Sequence, residues 1–107
     1  MAQTFSVSVL AGKSLTTDAA SDWYAVNDAE NVGIDVVWNS TVNAGAVDWQ
    51  TTNDPDNADA TVTMETITYP ARVSGVPRTF KFMRAKISTN LGVSTLDEVR
   101  LIKVINN

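Results

Sequence analysis

Asp54, Asp56 and Asp59 crowd one turn of the chain, and Glu65 falls at the twelfth position counted from Asp54. Hard cations such as calcium want several carboxylate or carbonyl oxygens at such spacing. The pattern fails where ligand geometry is strictest, because Ala58 stands where a third ligand belongs and Asp59 where the sharp turn needs glycine. The segment therefore reads as an exposed acidic turn without metal, and no cofactor is expected.

Aromatic rings are the second source of chemistry. Exposed tryptophan and tyrosine on a β-protein stack on sugar rings, and Trp23 and Tyr24, adjacent at the start of a strand, are the candidates for such glycan stacking. Trp38 shares a strand face with Ile34 and Val36, and Trp49 shares one with Val47, which is how core tryptophans present themselves.

The segment Arg78-Thr79-Phe80-Lys81-Phe82-Met83-Arg84-Ala85-Lys86 interleaves cations with aromatics, as some nucleic-acid surfaces do. The sign of the whole chain opposes that reading, since its net charge is −4 and phosphates would be repelled. A half-buried strand or a strand at a subunit interface is expected instead. The chain has neither cysteine nor histidine, which removes disulfides, thiolate or imidazole zinc sites and every triad built on a neutral imidazole. The five glycines are scattered, with no phosphate-cradling loop, and no carboxylate pair stands out as an acid–base couple. No catalytic residue can be named, and no enzyme is expected.

The charge is divided along the chain. Residues 1–71 hold ten acids and a single base, Lys13, whereas residues 72–107 hold seven bases against Asp97 and Glu98. In one sheet such segments would satisfy each other across strands; on opposite edges they would favour head-to-tail contact between copies. Arg72, Arg78, Lys81, Arg84 and Lys86 are the residues expected to meet an acidic partner surface.

What must position these groups is mostly β-structure. The chain's 107 residues fit one domain, spanning 1–107, and period-two alternation dominates throughout. Strands are predicted over 5–10, 22–26, 32–39, 46–52, 60–69, 78–88 and 95–105. The Asn-Ala-Gly at 43–45 makes 32–52 read as a β-hairpin, while the register of the long strand 60–69 shifts near Glu65, which suggests a bulge. Residues 14–22 read as a loop. Prolines at 70 and 77 exclude the intervening stretch from a central strand and suggest a connection crossing one end of the fold. Seven or eight short strands without a sustained helix predict an all-β, two-sheet antiparallel β-sandwich, either a jelly roll or an immunoglobulin-like fold. The opening Met-Ala-Gln-Thr-Phe has no basic segment followed by an apolar run, and nowhere do 18 apolar residues stand together. A soluble protein without conventional export is expected, which makes the Asn39-Ser40-Thr41 glycosylation triplet a chance match.

Three pieces, Asp22-Trp23-Tyr24-Ala25-Val26, Asp48-Trp49-Gln50-Thr51-Thr52-Asn53-Asp54 and Phe82-Met83-Arg84-Ala85-Lys86-Ile87, resemble the small all-β virion structural proteins of tailed bacteriophages. The resemblance implies a capsid decoration or cement protein that contacts the major capsid protein or other virion proteins, as a homo-oligomer or as lattice-bound copies, within the virion. The acidic net charge and the lack of a long apolar run lead to the expectation of no nucleic-acid and no membrane partner. A minor tail, neck or fibre component, or a carbohydrate-binding module for host-surface glycans, is the alternative.

Overall fold

The computed structural model describes residues 2–14, 19–38, 45–89 and 95–106, with the side chains of 11–14, 88–89 and 95–97 excepted. The glycosylation triplet at 39–41 and most of the 43–45 turn lie outside the described residues, as does the middle of the 14–22 loop. Eight strands are formed: β1 (Ala2–Ser14), β2 (Tyr24–Ala25), β3 (Asn31–Trp38), β4 (Ala46–Thr52), β5 (Val62–Thr68), β6 (Val73–Pro77), β7 (Phe82–Thr89) and β8 (Thr95–Asn106). They lie in two four-stranded sheets, ordered β1-β8-β3-β6 and β2-β7-β4-β5, with every pair antiparallel.

The pairing has a simple logic. β1 pairs with β8, β2 with β7, β3 with β6 and β4 with β5, so the chain is one long antiparallel ribbon turned back on itself at residues 53–61 and wound across two layers. That winding is a jelly roll, and it distinguishes the fold from the immunoglobulin-like alternative. It also corrects the predicted 32–52 hairpin. β3 is hydrogen-bonded to β8 and β6, and β4 to β7 and β5, so both edges of each strand are taken by other partners, and β3 and β4 lie in different sheets. A local turn signal at 43–45 could not reveal this, because it reports that the chain reverses and not which edge it pairs with.

Period-two alternation fills the space between the layers. Val32, Ile34 and Val36 of β3, Val47 and Trp49 of β4, Met83, Ala85 and Ile87 of β7, and Val99 and Leu101 of β8 are buried, and most are fully so. Trp49 is in the core as expected. Trp38 is not: the pairing of β3 with β8 slips between Val37 and Trp38, leaving this ring half-buried at the sandwich margin, edge-on to Tyr69 and donating its indole N–H to the Ala71 carbonyl at 2.8 Å.

The predicted bulge near Glu65 is present. Trp49 stands opposite Glu65 and Gln50 opposite Thr63, so Met64 is the extra residue. The proline-bracketed stretch 70–77 is partly a connection but also supplies β6, an edge strand on β3, where prolines are tolerated. Gly33 of β3 faces Gly75 of β6, and a Cβ at Gly33 would stand 3.1 Å from the Ser74 carbonyl oxygen, so a side chain there would crowd the neighbouring strand.

Candidate functional site

β7 offers an edge to residues 19–26, and the way that edge is used defines the site. Ala20 bridges to Lys86, whereas Tyr24 stands opposite Met83. Counting inward from both ends, the 20–24 segment holds one residue more than β7 does, so Asp22 and Trp23 together oppose Arg84. The interruption is supported by Ser21, whose N–H donates to the Ala85 carbonyl at 2.9 Å while its hydroxyl accepts the Ala85 N–H at 3.1 Å. A side-chain oxygen thus replaces a ladder carbonyl. Such an insertion bends the strand and re-aims its side chains.

Trp23 is turned onto the outer surface of the β2-β7-β4-β5 sheet, where the Arg84 guanidinium carbon lies 4.3 Å from its ring centroid. The Arg84 Nε–H donates to Gln50 Oε1 at 2.8 Å, and the Gln50 amide donates to Thr63 at 3.4 Å. Four strands or strand extensions therefore hold one ring in place. Tyr24 has its own cation: Lys103 Nζ stands 5.4 Å from its ring centroid and 3.1 Å from both carboxylate oxygens of Asp28. This hydrogen bond with Lys103 holds the Asp28 carboxyl below the usual carboxylate range.

Facing these residues across the open side of the sandwich is β1, whose pairing with β8 shifts between Ser8 and Leu10, leaving Val9 extra. Val7, Ser8 and Val9 form one wall and Asp22, Trp23 and Tyr24 the other of a cleft of about 260 Å³. The aromatic pair singled out in the sequence thus lines a real concavity. The opposite wall was missed, although Val9-Leu10 breaks the Val-Ser alternation and is the mark such a bulge leaves.

The five cations expected to face a partner do not form one patch. Arg72 beside β6 reaches Asp35 at 3.3 Å and the Val36 carbonyl at 3.1 Å. Arg78 serves the fold, its guanidinium capping the Ala29 carbonyl at 2.5 Å and the Phe80 carbonyl at 3.0 Å. Arg84 is committed to Trp23 and Gln50. Lys86 lies opposite Asp48 on the same outer sheet surface, and Lys81 is exposed just before β7, its backbone N–H donating to Asn53 Oδ1 at 3.0 Å. Acidic and basic stretches meet within the molecule, through Arg72 with Asp35 and Lys103 with Asp28.

The acidic turn serves its own backbone. Asp54 Oδ1 accepts the Asp56 N–H, Asn57 Oδ1 caps the 3-10 turn Ala58–Ala60 through the Asp59 N–H, and Glu65 is engaged by the Ser74 hydroxyl. Among the described residues no group of three or more Asp or Glu comes together that could hold a metal ion.

No protein-family model and no curated relative matches the chain. Solved structures do. The SPBc2 prophage-derived protein YomS is similar over 97% of this chain and 95% of its own, with a TM-score of 0.67 at 10% identity. The PBSX exported protein XepA is similar over 96% of this chain, with a TM-score of 0.69 at 17% identity. This chain spans 38% of XepA's length, so the same sandwich stands nearly alone in one protein and within a longer chain in the other. At these identities the likeness shows the shared fold.

Proposed function

We propose that this chain is a bacteriophage structural protein that works by protein–protein contact and catalyses nothing. The observation that carries the reading is the end-to-end likeness to YomS, a prophage-derived protein of nearly the same extent. The specific form we favour is a capsid decoration or cement protein in the virion, seated on the major capsid protein or another virion protein as lattice-bound copies or a homo-oligomer. Neither nucleic acid nor membrane is its partner. Such a protein stabilises the assembled shell by mass action, through surface it buries across subunit joints. The exposed Lys81 and the outward part of Arg72 are the cations best placed for that contact, since Arg78 and Arg84 are occupied within the fold.

A second reading, that the domain acts free of the particle, is favoured by the likeness to XepA, described as an exported protein. One experiment separates the two. Particles purified from a lysate are probed for the protein, and particles lacking it are heated or taken to low salt. Presence in the particle and weakened particles support cementing. Recovery outside the particle, or unchanged stability, overturns it.

A further inference from the structure

We propose that the cleft between β1 and β2 is a binding site for one neutral pyranose ring of a glycan, an inference that does not rest on the phage reading above. Both walls are made by interruptions of strand pairing, at Val9 on one side and at Asp22 and Trp23 on the other. Bulges re-aim side chains and accumulate at functional sites. They also break the edge ladder that an added peptide strand would need, which disfavours strand addition here.

The lining suits a sugar. Val7, Val9, Trp23 and Tyr24 give apolar surface for the C–H face of a pyranose, while Asp22 supplies a polar group for its hydroxyls. An ionised carboxylate is acceptor-only and matches a sugar O–H donor. The volume, about 260 Å³, lies below the range of about 300–1,000 Å³ usual for drug-sized ligands and fits a single ring. Asp22 repels an acidic sugar and Arg84 over Trp23 a cationic one, while Lys103 over Tyr24 is matched by Asp28, so the occupant is neutral.

The Trp23 ring is also pre-organised. Arg84 covers it, Gln50 holds Arg84, and Thr63 holds Gln50, so little side-chain freedom is left to lose on binding. Tyr24 is anchored by the pairing of its strand with β7.

The test is NMR titration of the full chain with glucose, galactose, rhamnose and N-acetylglucosamine, and separately with a short extended peptide. Saturable millimolar shifts confined to residues 7–9, 22–24 and the Trp23 indole are expected with at least one sugar. Asp22→Asn should weaken that binding roughly tenfold, the loss expected for a hydrogen bond to a charged group. Tyr24→Ala, which removes part of the apolar wall without touching the Arg84 chain, should abolish binding while the circular dichroism spectrum stays that of the parent. Absence of saturable shifts with all four sugars, shifts elsewhere, unchanged affinity in Tyr24→Ala, or shifts with the peptide alone would each overturn the proposal.

Discussion

Arg84 and Trp23 face each other across a bulge, the guanidinium carbon 4.3 Å from the ring centroid. The cation gains from the ring quadrupole and also fills the hydrogen-bonding need of Gln50, which is 7% exposed. Replacing Arg84 by methionine keeps the aliphatic cover but leaves Gln50 Oε1 without its donor. The expected cost is about 1–3 kcal/mol, with Trp23 fluorescence becoming easier to quench by acrylamide. Arg84→Lys should recover less than half of the loss, because an ammonium group lacks the planar fork that reaches ring and amide together.

Core and rim should respond very differently. Ile34 is fully buried between the sheets, and Ile34→Ala is expected to cost about 2–5 kcal/mol in urea unfolding. Val62 on edge strand β5 is 58% exposed, and Val62→Thr should stay within about 0.5 kcal/mol of the parent.

Those two valine and isoleucine positions also show what the sequence could and could not say. Alternation marked Ile34, Val36, Val47 and Trp49 as inward, because a pleated strand has only two faces and one must be apolar. The same alternation in 60–69 does not say that Val62 is exposed, which follows from β5 being an edge strand with an extra residue at Met64. Strand partners were illegible for a related reason. Ala2 pairs with Asn106, and no local signal in either segment encodes a contact across the whole chain. Of the site, Trp23 and Tyr24 were legible as exposed-type aromatics, whereas Val7, Ser8 and Val9 needed the jelly roll to bring β1 alongside them.

Gly45 precedes β4 with φ of 140°, a backbone conformation that glycine takes without strain, and its carbonyl accepts the Tyr69 N–H at 2.9 Å. Gly45→Ala should cost about 1–3 kcal/mol, read as a fall in the urea midpoint with an unchanged slope. A midpoint equal to the parent's would show that the turn relaxes freely.

β8 is hydrogen-bonded to β1 on one side and β3 on the other, and contributes Val99 and Leu101 to the core. A chain lacking residues 95–106 should lose cooperative unfolding altogether, since removal strands two neighbours and opens one layer. Deleting residues 2–4 removes only exposed positions at one end of an edge strand and should leave cooperative unfolding intact, with circular dichroism as the readout for both.

Acid should weaken the fold through two specific carboxylates. Asp28 is held below its ordinary range chiefly by its hydrogen bond with Lys103, and Glu98 by its hydrogen bonds with Arg100, 2.6 Å away, and with Ser8. A carboxylate whose folded pKa is depressed binds a proton less readily when folded, so the unfolded chain takes up protons first as pH falls. The stabilisation is therefore complete above the unfolded values of about 3.9 and 4.3, and is lost as pH drops through the folded ones. The urea midpoint should be flat near neutrality and fall from about pH 4 downward. Lys103→Met keeps apolar cover over Tyr24 but returns Asp28 toward its ordinary range, so its midpoint should fall less steeply with acid than the parent's. High salt should shrink the difference between the two proteins, because both carboxylates lie where solvent ions screen them. An acid limb as steep in Lys103→Met as in the parent would mean that the Asp28–Lys103 contact contributes nothing to it.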